Sequence, residues 1–198
     1  MHELLILAFG VAAVMAVTTL AARVVGPALL RVEQLLLAGS VAVILFVMAF
    51  VCAEVLMRYA FNSPIPGHLE SSELLVPVIV FLAISYTQST HGHVGMDLLV
   101  ENLSPAARRY ATVATLLISI FVCAVLAFFS FKNALQMWRY DDVTMSPPYF
   151  HTWPSAAAIP LGYALTALRM FIQVLHLHDP ARFPASEPEE SGGFHAAE

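Results

Sequence analysis

The sequence predicts an all-α integral membrane protein, a four-helix transmembrane core with an additional N-terminal transmembrane helix, and three observations carry that expectation. Of 198 residues, 59% are hydrophobic and only 12% are charged, whereas a soluble domain carries about 25% charged residues. The apolar residues are also gathered into long blocks without the polar face that a globular helix must show. Each block approaches the roughly 17 to 25 residues needed to cross about 30 Å of hydrocarbon at about 1.5 Å per residue.

Taken in order, residues 4–22 form the first uncharged run, ending at Arg23 with Gly26-Pro27 behind it. A cleaved signal peptide would want a positive n-region, yet only Met1, His2 and Glu3 precede the run. A helix lying on the membrane surface would need a charged face, and this run has none. The expectation is therefore an extra span, with residues 1–30 as an N-terminal helix and linker. A four-helix domain over 31–178 follows, with spans at about 33–58, 72–91, 108–132 and 154–177. Residues 35–57 contain one charge, Glu54, while 74–90 and 110–131 contain none. Thr152 can cap the last span and Pro154 can occupy its first turn, and Arg169, late in that span, is expected to snorkel to the interface. Pro77 and Pro160 lie within spans and should kink them unless neighbours satisfy the freed carbonyls. From residue 179 the chain turns to Pro, Ala, Glu, Ser and Gly, which predicts a disordered tail.

Lys and Arg are enriched in cytoplasmic connections. Placing Arg23, Arg31, Arg108, Arg109, Arg169 and Arg182 inside leaves Arg58, Lys132 and Arg139 outside, so the C-terminus is expected to be cytoplasmic. The outer connections are then 58–72 and 133–152. The second carries Trp138, Tyr140, Tyr149 and Trp153, an aromatic belt at headgroup depth. With Asp141 and Asp142, Trp138, Tyr140 and Tyr149 also form a candidate docking surface on the outer side.

Several constellations could carry chemistry. Glu54 and Arg58 are four residues apart with the acid first, the favourable order for an ion pair. Glu70 and Glu73 fall at the start of the next span, where a helix N-terminus favours negative charge, near enough to Arg58 for a polar cluster across two helices. In His91-Gly92-His93-Val94-Gly95-Met96-Asp97 two imidazoles and a carboxylate suggest a metal, but a spacing of two on a Gly-containing stretch fixes no ligand geometry. Cys52 and Cys123 fall inside spans and are expected to be apolar fillers. No nucleophile elbow, phosphate-binding Gly loop or zinc-protease motif is present. Neither catalysis, a cofactor nor a metal is expected, and with a net charge of −5 no nucleic-acid partner is expected.

Together, Glu54-Val-Leu-Met-Arg58-Tyr59-Ala-Phe61-Asn62, Ser71-Ser72-Glu73-Leu74, His91-Gly-His93-Val94-Gly-Met-Asp97 and Ile159-Pro160-Leu161-Gly162-Tyr163 resemble the DctQ-like small membrane subunit of tripartite ATP-independent periplasmic (TRAP) transporters. The resemblance covers about 35–175. It implies a bacterial inner-membrane scaffold subunit without a substrate site, paired with a large membrane subunit that moves and binds substrate and sodium. A periplasmic substrate-binding protein would deliver an organic acid to that pair. Residues 4–22 depart from the family's four-span pattern. Two readings of other classes stand beside this one: a membrane redox subunit holding haem or metal at His91 and His93, and a small proton-coupled exporter using Glu54.

Overall fold

A polypeptide in hydrocarbon must satisfy its backbone polar groups within itself, and an uninterrupted helix does so for an apolar run of any length. The computed structural model describes the backbone of residues 2–90 and 104–178, and the side chains of 27–90, 104 and 107–177. Four helices account for nearly all of it: α1 (His2–Ala60), α2 (His68–Ser89), α3 (Pro105–Tyr140) and α4 (Trp153–His178). Four spans are long and apolar enough to cross a membrane among the described residues, Pro27–Ala60, His68–Ser89, Ala107–Tyr140 and Trp153–Leu177. The four-helix core is as the sequence predicts.

The additional N-terminal helix is not a separate element. Residues 4–22 are the first part of α1, which continues through Pro27 without interruption. A proline removes one ladder bond, whereas breaking the helix would strand several backbone groups with no water to receive them. The last two helices likewise run on beyond expectation or differ in detail. α3 extends past Lys132 to Tyr140, so the connection to α4 is 141–152 rather than 133–152. Lys132 and Asn133 end an apolar block, but polarity does not end a helix. The stop is Asp141, whose backbone is left-handed (φ 53°) and whose N–H bonds to Trp138 O. Thr152 does sit just ahead of α4, with Pro154 in its first turn, but its hydroxyl donates to Asp142 O at 3.1 Å instead of capping the helix.

The helices do not close into a ring. They stand in a row in the order α1, α2, α4, α3, each packed mainly on its neighbours; α2 and α3 do not touch. α4 is consequently the best buried helix, with 39% of its apolar window covered against 6% for each of the others. The α2–α4 contact is close because Gly162 lies against Phe81: a Cβ at Gly162 would stand 2.4 Å from Phe81 O. Phe81 also meets Tyr163 edge-on, with centroids 4.9 Å apart.

Residues 61–67 join α1 to α2 and 141–152 join α3 to α4 at the same end of the row, the loop end. Asn62 ends α1 in a left-handed conformation, and the Ser63 N–H reaches Met57 O at 3.1 Å. Gly67 precedes α2 at φ 76°, and a Cβ there would lie 2.4 Å from Pro148 Cδ, so this position admits glycine on both counts. The 141–152 connection folds back on itself through an isolated bridge between Val143 and His151.

Candidate functional site

Burial in this row is scarce, so the polar side chains that achieve it mark the positions that matter most. Glu33, Ser40, Glu54, Ser85, Ser89, Thr166 and Arg169 are each at most 3% exposed. They resolve into two clusters at opposite ends of the row. Glu33 and Glu54 lie 21 residues apart on α1, about 31 Å along a helix and close to the roughly 30 Å thickness of a bilayer core.

At the end opposite the loops, Glu33 of α1 receives three bonds. Ser85 Oγ of α2 donates to its Oε1 at 2.5 Å, Arg169 Nε of α4 donates to the same oxygen at 3.0 Å, and a second Arg169 nitrogen donates to Oε2. A planar guanidinium grips a carboxylate in this two-point manner and fixes both position and angle. Around this centre Ser40 Oγ donates to Ile79 O at 2.7 Å, and Gln88 Nε2 donates to Gln173 Oε1 at 2.9 Å. Gln173 Nε2 returns a bond to Gln88 O at 3.2 Å, while Arg109 of α3 donates to Leu177 O at 2.7 Å. Every adjacent pair of helices in the row is thus tied at this end by at least one polar bond.

The expectation that Arg169 snorkels to water is overturned. Its side chain is 3% exposed and bonded to Glu33, because a fully buried carboxylate stands within reach and pairing it costs less than leaving either charge alone. Glu33 was missed by sequence reasoning because it falls just ahead of the uncharged block. A signal for it exists: Leu29, Glu33, Leu36, Ser40, Val43, Val47, Phe50, Glu54 and Met57 recur at alternating steps of four and three. That spacing is the seam of a helix packed along its length, and all nine are buried or half-buried.

At the loop end, Glu54 is 2% exposed and pairs with Arg58, at 2.8 Å to Nε and 2.6 Å to the terminal nitrogen, as the sequence spacing predicts. The third member is His68, whose Nε2 stands 3.7 Å from Glu54 Oε2. His68 Nδ1 lies 3.2 Å from Ile65 O, an acceptor, so Nδ1 carries a proton and the ring attracts Glu54 fully only when Nε2 is protonated too. Glu70 and Glu73 are not part of this cluster. Glu70 accepts from Ser146 of the 141–152 connection, and Glu73 is exposed. Glu70 lies in the first turn of α2 and Glu73 in the next.

Of the candidate docking residues, Trp138, Tyr140, Asp141, Asp142 and Tyr149 are all exposed at the loop end. Trp138 stacks on Trp153 with centroids 4.9 Å apart, and Asp141 meets His151 at 3.1 Å. The Glu70–Ser146 bond and the seat of Pro148 on Gly67 join the two connections into one surface. Among the described residues no three His, Cys, Asp or Glu side chains converge as a metal site would need. His91, His93 and Asp97 lie outside the described residues, as does the tail from 179.

A family model described as "Tripartite ATP-independent periplasmic transporters, DctQ component" matches residues 47–178. That stretch contains Glu54, Arg58, His68 and Arg169 but not Glu33. Among curated proteins, the chain is similar to the C4-dicarboxylate TRAP transporter small permease protein DctQ of Vibrio cholerae. The two are 30% identical over 152 residues, covering 62% of this chain and 61% of that one. The chain therefore spans about three fifths of the length of this relative. No solved structure matches.

Proposed function

The chain belongs to the DctQ component family of tripartite ATP-independent periplasmic (TRAP) transporters, and on that premise we propose that it is the fixed, non-catalytic small subunit of a sodium-driven uptake system for organic acids. It pairs with a large membrane subunit that carries substrate and sodium, and its loop end faces the periplasm, where it helps dock a substrate-binding protein. The C-terminus is cytoplasmic.

The observation that carries the scaffold role is the Glu33–Ser85–Arg169 junction. Separating α1 from α4 would leave a charge unpaired in apolar surroundings, a cost of about 3 to 5 kcal/mol, so α1, α2 and α4 keep one register while a partner moves beside them. Among the described residues, the polar groups buried within the row are bonded to one another or to backbone carbonyls, which leaves little to coordinate a passing ion. Docking at the loop end is supported by Tyr140, exposed at the end of α3, and by Asp141, Asp142 and Tyr149, exposed on a connection that is itself held against α2. The broad apolar flank of α1, including Leu35, Phe46 and Met48 at 58 to 73% exposure, supplies area for the large subunit.

Co-expression and reconstitution test the proposal. A tagged chain is expected to carry a much larger membrane protein through purification, and liposomes holding both, given the binding protein and an inward sodium gradient, should accumulate an organic acid. Accumulation by liposomes holding this chain alone would overturn the scaffold reading.

A further inference from the structure

Between the loop-end halves of α3 and α4 lies a groove of about 730 Å³, bounded at its mouth by Trp138 and Trp153 and at its deep end by Ala127 and Ala164. We infer that it seats one acyl chain of a glycerophospholipid from the leaflet at the loop end, with the lipid phosphate held near Arg139. This goes beyond the transporter reading and does not depend on it. The proposed orientation only decides that the leaflet is the periplasmic one.

Length is the first argument. From Ala127 to Trp138 on α3, and from Trp153 to Ala164 on α4, the groove runs eleven residues, about 16 Å of helix. That is half of the roughly 30 Å hydrocarbon core, one leaflet. A transmembrane helix from a partner would need a seat running on through the other half, but the lining stops at mid-span. The lining is the second argument. It is built from alanines, a proline, leucines and aromatic rings, with Ala134 buried at 7% forming part of the floor. Its volume falls within the roughly 300 to 1,000 Å³ of ligand-sized sites. Such a wall offers contact to methylene groups and almost nothing to a polar one.

The mouth is the third. The Trp138 and Trp153 rings lie 4.9 Å apart and tilted by 38°, at the depth where indoles meet headgroups. Arg139 follows Trp138 directly and is exposed, and Lys132 is exposed seven residues earlier, on the same side of α3. A guanidinium at headgroup level complements a phosphodiester, so the apolar slot and the cation beside it match the two ends of one molecule.

Trp138 and Trp153 are the only tryptophans in the chain, so its own fluorescence reports on the groove. The full-length protein is placed in nanodiscs of phosphatidylethanolamine and phosphatidylglycerol whose acyl chains are brominated near the carbonyl end, then moved into detergent. A bound lipid keeps the emission quenched after transfer, and phosphorus analysis finds a single phospholipid per chain. Ala134→Phe and Ala157→Phe fill the slot and should each lower retention by about tenfold. Arg139→Gln should lower it less, by removing the phosphate contact alone. Circular dichroism and monodispersity identify a variant that has failed to fold; Ala164→Leu, at the deep end, then replaces it. Quenching that vanishes on transfer and tracks only the mole fraction of brominated lipid would overturn the proposal in favour of bulk lipid. Loss of the bound phospholipid from wild-type protein when the large subunit is added, read by native mass spectrometry, would overturn it in favour of a partner helix.

Discussion

The two polar clusters of this protein are built from similar parts, a buried glutamate gripped by an arginine, yet they differ in what surrounds the arginine. Arg169 is 3% exposed and reaches Glu33 across two helices, whereas the Arg58 side chain is 49% exposed and reaches Glu54 from one turn away on its own helix. The first is a tertiary fastener with no access to water. The second satisfies Glu54 locally and leaves a half-exposed cation at the loop end, with the mostly buried His68 beside Glu54. One end of the row is closed on itself; the other keeps charge available to something outside it.

Substitutions can break or sharpen that contrast. The largest effect is expected from Arg169→Met, which strands Glu33 and should cost about 3 to 5 kcal/mol, seen as loss of folded protein and a lower melting temperature in detergent. Adding Glu33→Met should restore most of it, because two apolar side chains replace the pair without an orphan charge. A mild single variant would erase the distinction between the clusters. Gly162→Val comes next: with Phe81 O only 2.4 Å from the new Cβ position, α2 and α4 must separate. A loss of about 1 to 3 kcal/mol is expected in the same melt.

Arg58→Gln should cost more than Glu54→Gln, about 1 to 3 kcal/mol, because it leaves the buried Glu54 carboxylate without its arginine. Its effect would also appear in affinity for the binding protein, measured by titration on the reconstituted complex. Glu54→Gln should cost about 1 kcal/mol, because water can solvate the half-exposed Arg58. Under the scaffold reading, uptake then falls only as far as the amount of assembled complex. Abolished transport in a fully assembled complex would instead make Glu54 the coupling residue of an exporter.

Much of the fold could be read in the sequence, and the failures share a cause. Lengths of apolar blocks located the four spans, and the strings around Glu54, Ser71, His91 and Ile159 identified the family that the family-model match then showed. Block reading treats each charge as a boundary. It therefore ended α3 at Lys132, sent Arg169 to the interface and passed over Glu33 as the mere edge of its span. Glu33 and Arg169 are tolerated inside their helices because each offers the other a partner across the row, and a partner more than a hundred residues away in sequence cannot be seen by scanning along the chain. The Glu54–Arg58 pair was legible because both members lie on one helix. His68 was not, because its place depends on the turn that Asn62 and Gly67 set between α1 and α2.

The order of the row has a consequence for biogenesis. α4, synthesised after the other three described helices, stands between α2 and α3, which do not touch each other. Until α4 arrives, α3 meets the earlier helices only through a slight contact with α1, and Glu33 waits in the membrane with only Ser85 beside it. Arg169 enters 136 residues after Glu33, so insertion of each charge precedes their meeting. The described row closes in one step, the wedging of one helix between two others, and a chain cut before residue 169 would be left with an apolar seam and an unanswered carboxylate.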